Sequence, residues 1–447
     1  MIQLSPYAIE AMVAALALAA VGVASGIPIS YNVRNLLVRW PATLMTAAAF
    51  TMVIGLLVVM LAFVNGMAKL TESSGRADNL IILSEGATDE SFSNLGYSDT
   101  GDIENDPHVL RDGDTRLVSK ETYFVVNQPI DNAAPGRPKR RFLQLRGVDD
   151  PQISGRVHDL KLVAGGAWFS PAGVRALPGA APGAAPAIEV VVGSGIAGEL
   201  AKDRPASRQA GEKRDGGLTT GDTFALGERT MLVVGVMQSS GSTFDSEVWA
   251  KRSILGPMFG KETYTSLVLR TADAAAAQSA KQFFTEEYDK AAVQALVETE
   301  YFASLSNTNK QFLVGIQIVA VIMAIGGVFG VMNTMFAAVS QRRKDIGVLR
   351  LLGYGRWQIA GSFVFESLVL AVLGGALGCA VGALADGWTA NSIVSSGQGG
   401  GKFVVLRLVV DASILGNGML LALAMGAVGG LLPAANSIRL QPLEALR

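Results

Sequence analysis

The sequence has one cysteine, two histidines and little charge for its length of 447 residues. Cys379 stands alone inside an apolar run, so it forms no disulfide within the chain, and a single thiol is no zinc site. It reads as a small buried packing residue. His108 and His158 are far apart in sequence and lack ligand-like spacing, which leaves metal catalysis and histidine base chemistry without a motif. No GxSxG and no Cys/His pair marks a nucleophile. No GxxxxGK[ST] occurs: GQGGGKF (397–403) has Ser396 where the first glycine belongs and Phe403 in place of Ser/Thr. The sequence therefore holds no ATP-hydrolysing motor of the P-loop kind. Charged residues make up 17% of the chain, against about 25% in an ordinary soluble domain. Apolar residues reach 50% with glycine counted apart. That combination points to membrane spans beside a polar portion.

A span needs about 20 apolar residues. The sequence predicts spans over 41–66, 311–340, 358–388 and 411–433, and a borderline one over 8–28. The last is either a retained helix, a half-inserted helix or a signal peptide; MIQLSPYAIE lacks the basic residues of a signal peptide. Basic residues orient the chain. Segment 29–40 carries Arg34 and Arg39 and no acid, 341–357 carries a net +4, and the tail 434–447 carries Arg439 and Arg447 against Glu444. These three segments are expected in the cytoplasm. Residues 67–310 are then outside; they hold 26 Lys+Arg and 32 Asp+Glu. Trp40 and Trp357 fall at the cytoplasmic boundary and Trp388 at the outer one, where amphipathic rings are favoured. Glycines repeat at four-residue spacing as Gly326 and Gly330, as Gly374, Gly378 and Gly382, and as Gly426 and Gly430. Such rows are expected to pack helices closely, because lipid supplies no hydrophobic drive for association. Glu366 is the main ionisable residue within a span. It is either functional or a near-interface carboxylate with a polar or basic partner.

Residues 67–310 read as an α+β extracytoplasmic domain. Strand-like runs are NLIIL (79–83), YFVVN (123–127), RFLQLRGV (141–148), AIEVVVG (187–193), TFALG (223–227), TMLVVGVM (230–237) and SLVLR (266–270). Helices are expected from about Ile196 and from about 272 onward through YF at 301–302. No Pro or Gly interrupts 281–310, which suggests a helical stalk into the next span rather than a linker. Loops are expected over 172–187 and 203–221, and a flexible turn over 395–402 within the outer loop 389–410.

Three motifs in this half carry little. Gly193, Gly195 and Gly198 form GxGxxG after a strand, but no second strand unit with an acid follows, so a tight strand-to-helix turn is the better account. The acids Asp99, Asp102, Glu104, Asp106, Asp112 and Asp114 lack the spacing of an EF-hand and read as a solvated loop. The basic run Arg137, Lys139, Arg140 and Arg141 is too short to argue for nucleic acid.

The stretch NTMFAAVSQRRKDIGVLRLLGYGRWQI (333–359) joins two apolar runs through a short basic helix. On a helix, Arg343, Gly347 and Arg350 share one side, and Val348, Leu349 and Leu352 another. It is either a positive anchor at the membrane surface or a docking helix for a cytoplasmic partner.

Residues 333–378 resemble the signature of FtsX/MacB-type ABC transporter permeases: a span, a basic IG-x-L-R-x-x-G helix, a span that opens with a Glu, and a glycine-rich continuation. Asp345 stands where the family usually has Glu. LQLRGVDDPQI, AIEVVVGSGIAGELA and GDTFALGERTMLVVGVMQSSGSTFDSEVWA are similar to its MacB-like periplasmic core domain, ISYNVRNLLVRWPATLMTAAAFTM to its first helix and span, and ANSIRLQPLEALR to its ending. The resemblance covers about 29–447. The segment 8–28 departs from the usual four spans with both ends inside.

The resemblance implies a noncatalytic permease subunit of the inner membrane, with no catalytic, metal or cofactor-binding residue. Its partners would be a separate P-loop ABC ATPase, a second permease copy or paralogue, membrane lipid and, in some systems, a periplasmic membrane fusion protein; nucleic acid is not expected. Helix 341–353 would couple to the ATPase through Arg342, Arg343, Lys344, Asp345, Ile346, Leu349, Arg350, Leu352 and Gly353. The family works by mechanotransmission, in which ATP-driven motion passes through the long third span to the periplasmic domain. Export of a lipid, lipoprotein or amphiphile is one outcome, and activation of a periplasmic partner such as a cell-wall hydrolase another. An ATPase-independent membrane receptor is the third.

Overall fold

The computed structural model describes residues 26, 28–130, 139–179, 181, 183–203, 216–305, 307–395 and 401–438. The first expected span (8–28), Arg137, most of the loop 203–221, the centre of the turn 395–402 and the tail from 439 lie outside the described residues. The chain divides into two units. One is helical and holds the described residues up to Gly66, Gln311–Trp388 and those from Arg407 onward; the other comprises Met67–Lys310 and Thr389–Leu406.

Helix α1 (Ile29–Val38) precedes α2 (Trp40–Glu72), which exceeds the predicted span 41–66 at both ends. Strands then form where β-branched and aromatic residues cluster: β1 (Asn79–Ser84), the pair β2 (Arg111–Asp112) and β3 (Thr115–Arg116), β4 (Val118–Pro129), β5 (Arg140–Val148), β6 (Val174–Arg175), β7 (Ala187–Val192), β8 (Thr223–Leu226), β9 (Arg229–Val236), β10 (Glu247–Lys251), β11 (Ser266–Arg270) and β12 (Val293–Val297). Interleaved are α3 (Tyr97–Glu104), α4 (Pro151–Val157), α5 (Ser194–Ala201), α6 (Arg252–Phe259), α7 (Ala274–Gln282) and α8 (Glu298–Leu305). One mixed sheet runs β12-β1-β11-β4-β5-β10-β7-β9-β8, with β6 against β7. It is antiparallel except at β5/β10 and β7/β9. One core gathers Leu145, Val190, Val233 and Val248 with Ile196 and Leu200 of α5. The other gathers Leu80, Ile82, Leu267 and Leu269 with Ala277 of α7 and Phe284 just after it.

Several expectations change here. The helix expected from 272 onward is broken: α7 stops at Gln282, a π-helical turn covers Phe283–Glu287, and VQALV is the edge strand β12, antiparallel to β1. Helix resumes in α8 and in α9 (Asn307–Gln341), with residue 306 undescribed. Within the acid run, Asp99, Asp102 and Glu104 lie on α3, where Asp99 accepts the Gly96 N–H at 3.0 Å; Asp112 belongs to β2. The outer loop contains a hairpin, β13 (Thr389–Ser395) with β14 (Gly401–Arg407). The GxGxxG segment is the expected strand-to-helix turn. A Cβ on Gly193 would overlap the carbonyls of Phe244 and Asp245.

The helical unit continues with α10 (Arg343–Leu351), α11 (Arg356–Ala383) and α12 (Ala412–Ile438). Among the described residues, four helices are long and apolar enough to cross a membrane: α2, α9, α11 and α12. Glycine sets how closely they approach. Ideal Cβ positions on Gly374, Gly378 and Gly382 fall 2.5, 2.8 and 2.6 Å from the Cβ atoms of Phe50, Ile54 and Val58. Two rows at four-residue spacing thus interlock between α11 and α2. Gly426 and Gly430 do the same against Ala371 and Ser367 of α11. Cys379 is half-buried rather than buried, with its Sγ 3.5 Å from where a Cβ would stand on Gly418. Gly326 and Gly330 have nothing within 4 Å; the α9 glycine that meets a neighbour is Gly327, against Met425. Gly326 and Gly330 thus lie one residue, about 100° of helix rotation, away from the contact that Gly327 makes with α12.

Candidate functional site

Helix α9 ends at Gln341 because Arg342 leaves helical geometry, with φ −107° and ψ 19°. The nine residues of α10 follow. Gly353 then adopts φ +95°, a left-handed conformation that a side chain would strain, and Gly355 starts α11 with its N–H bonded to Gln358 Oε1 at 2.7 Å. Gly353, the last glycine of the basic motif, thus stops one helix, and Gly355 just beyond it starts the next.

Neighbouring arginines do opposite things. Arg342 is 7% exposed, and its Nη1 donates to Glu366 Oε2 at 2.8 Å; Glu366 is 3% exposed. The guanidinium lies 5.2 Å from the Tyr31 ring centroid and 5.0 Å from that of Phe363. A buried carboxylate needs a paired, hydrogen-bonded cation, and this pair holds the start of α10 to α11. Glu366 thus has a basic partner, as one of the two alternatives expected. Ile346 and Gly347 are also buried. Arg343, Lys344, Asp345 and Gly353 are exposed, Leu349 and Arg350 half-buried, and Val348, Leu351 and Leu352 are 47%, 66% and 71% exposed. Of the nine coupling residues expected from sequence, Arg342 and Ile346 face inward. The outward face adds Val348 and Leu351. It combines cations with apolar side chains, the composition that fills a partner's groove while charges line the rim.

The α/β unit contains a second charged constellation that periodicity does not expose. Arg146 on β5 is 1% exposed and bonds Glu247 of β10 through Nε and Nη2, at 2.7 and 2.8 Å, and Glu90 at 2.7 Å. It also pairs with Glu121 of β4. His158 bridges Glu121 at 2.7 Å and Glu298 at 3.1 Å. Burial alone would raise the Glu121 carboxyl, but Arg146 and then His158 outweigh it and hold it at about 2. Burial would lower His158; Glu121 and Glu298 overcome that and lift it to about 9. Glu298 also accepts the Arg76 N–H at 3.0 Å and Asn79 Nδ2 at 2.8 Å. The network therefore fastens the segment following α2 to the start of α8. The signal in the sequence is a charge inside an apolar strand run, as in RFLQLRGV.

Residues 43–286 match the MacB-like periplasmic core domain and residues 317–442 the FtsX-like permease C-terminal family. The chain belongs to the FtsX/MacB-type ABC transporter permeases. This permease is a multi-pass protein of the inner (cytoplasmic) membrane, and the α/β unit is its extracytoplasmic domain. It is 24% identical over 387 residues to the macrolide export ATP-binding/permease protein MacB of Burkholderia lata, covering 82% of this chain and 52% of that one. Identity to the uncharacterized ABC transporter permease YknZ of Bacillus subtilis is 26% over 250 residues, covering 54% and 60%. The permease thus spans little more than half the length of these relatives. Among solved structures, the extracellular domain of YknZ matches at TM-score 0.31 with 14% identity, over 49% of this chain and 99% of that one. The periplasmic region of MacB from Actinobacillus actinomycetemcomitans matches at 0.32 with 16% identity, over 52% and 93%.

Proposed function

We propose that this permease couples ATP hydrolysis by a separate P-loop ABC ATPase to movement of its extracytoplasmic domain, and that the movement exports a lipid, lipoprotein or amphiphile. The observation that carries this is the outward face of α10. It offers Arg343, Lys344, Val348, Leu351 and Leu352 to a partner, while Arg342 and Glu366 lock the same helix to α11. A partner that contacts α10 differently in its two nucleotide states would bias the helices behind it, since a ligand shifts an equilibrium only through differential affinity. Two permeases, or a permease and a paralogue, would pair. The bare face of α9 with Gly326 and Gly330 suits a close helix contact.

The test is co-purification of the full chain in mild detergent. A P-loop ATPase should accompany it. Arg343→Glu and Leu352→Asp should each weaken that association by about tenfold or more, the equivalent of 1.4 kcal/mol, with membrane insertion unchanged. Absence of any ATPase, or association indifferent to both substitutions, would sink the coupling. Loss of insertion instead would assign the helix an anchoring role alone.

A further inference from the structure

The segment between α11 and α12 belongs by contact to the extracytoplasmic domain, although both helices that flank it in sequence are spans. Strands β13 and β14 form a sheet of their own, yet Val404 and Leu406 are 2% and 1% exposed. The Val405 N–H donates to Ser246 Oγ at 2.9 Å. Its Cβ lies 3.4 Å from where a Cβ would stand on Gly195, at the start of α5. β13 runs beside α8.

The receiving turn, Thr243–Ser246, is braced. The Asp245 carboxylate accepts the N–H groups of Ser240 and Gly241 at 3.3 and 2.9 Å and the Ser239 hydroxyl at 3.0 Å. Thr243 N–H donates to Ser74 Oγ at 2.7 Å. The base of the hairpin is tied within the helical unit. Leu408 N–H bonds Trp388 O at 2.8 Å, and Asn65 Nδ2 bonds Val409 O and Asp411 Oδ2, each at 3.0 Å. The chain passes between units at 66/67, 310/311, 388/389 and 406/407. The last two passages are the legs of this one hairpin, held at both ends.

We propose that the β13–β14 hairpin is a strut. It docks on Thr243–Ser246 and the start of α5, and it links α11 and α12 to the extracytoplasmic domain, so movement begun at α10 reaches that domain without passing through α9. GxGxxG gains a role here, because Gly195 is the position at which Val405 approaches. The docking stands on the contacts alone; the transmission of force rests on the ATP-coupled reading above.

The experiment uses the full-length chain with its co-purified ATPase in liposomes, in a Cys379→Ala background. Gly195→Cys with Val405→Cys places the two Cβ atoms close to the disulfide range of about 3.5–4.5 Å. Mild oxidation should join them within one chain. Gly198→Cys with Val405→Cys should cross-link at least about tenfold less, since Gly198 faces open space. A Cβ at Gly195 also lies 3.0 Å from Asp245 O, so Ser246→Cys with Val405→Cys serves as a second pair. Failure of both pairs to cross-link would overturn the strut. Ser246→Ala combined with Val405→Pro removes the acceptor and the donor. It should reduce the ATP-driven change in protease protection of Met67–Lys310 at least threefold. If that change persists while Arg343→Glu abolishes it, the hairpin does not transmit force. If Arg343→Glu has no effect either, the coupling reading fails and takes force transmission with it, and the cross-link alone then judges the docking.

Discussion

The two units of this permease solve the same packing problem in opposite ways. The extracytoplasmic domain buries large side chains around its sheet and places an ionic network among them. The helical unit brings backbones together at Gly374, Gly378 and Gly382 and leaves Ile322, Ile325, Phe329, Leu377 and Leu420 exposed. In water, burying apolar area drives assembly. In lipid that drive is missing, so close contact between small residues has to serve. Buried charge follows the same division. The domain collects Arg146 and His158 with four carboxylates, whereas the helical unit keeps the single pair Arg342–Glu366 near a helix end, among the described residues.

The contrast is broken most severely at Arg146. Arg146→Ala strands Glu90 and Glu247 without the arginine and leaves Glu121 with His158 alone, and it should cost about 3–5 kcal/mol or more. The expected outcome is loss of protease-resistant domain while the spans still insert, read by limited proteolysis of membranes. An Arg146→Ala domain that resists protease as wild type does would mean the network contributes little.

The His158 pair gives a pH signature. Its folded pKa of about 9 lies above the ordinary 6.5, so its stabilisation is complete below about 6.5 and fades as pH rises through about 9. The displacement corresponds to about 3 kcal/mol. Glu121, held at about 2, contributes above its ordinary 4.5 and is lost only as pH falls through about 2. Thermal unfolding of the detergent-solubilised permease should therefore show domain stability falling between pH 7 and 9. In His158→Gln the domain should be weaker at pH 6 and that slope should flatten. An unchanged slope would show that His158 is not the titrating group.

The smallest effect sharpens the comparison within the membrane. Gly378→Leu overfills the contact with Ile54 and Thr51 and should destabilise the helical unit by about 1–3 kcal/mol. A Cβ on Gly330 would meet nothing within 4 Å, and Gly330→Leu should leave the thermal stability of a detergent-isolated single chain unchanged. Equal effects at the two sites would remove the distinction drawn between packed and bare glycines.

Most of the sheet was legible, because NLIIL, AIEVVV and TMLVVGVM are apolar on a strand scale and end in turn residues. β10 and β12 were not. EVWAK begins with a glutamate that Arg146, about a hundred positions earlier, neutralises. VQALV sits between helix formers and becomes a strand by pairing with the edge of β1. The segment 341–353 was legible as a basic helix but not by face: Arg342 and Arg343 are adjacent and chemically identical, and one is buried while the other is exposed.

The sequence by itself determined the class of this protein: long apolar runs, their basic flanks and an interposed α+β segment follow from local composition, which hydropathy and charge report directly. Only the tertiary structure decided which arginine carries Glu366, which glycines touch a neighbour, and that the outer hairpin docks on the domain. Each of these depends on helix rotation or on contacts between residues far apart in the chain. A rotation of one residue, about 100°, exchanges a buried partner for a bare surface without changing composition at all.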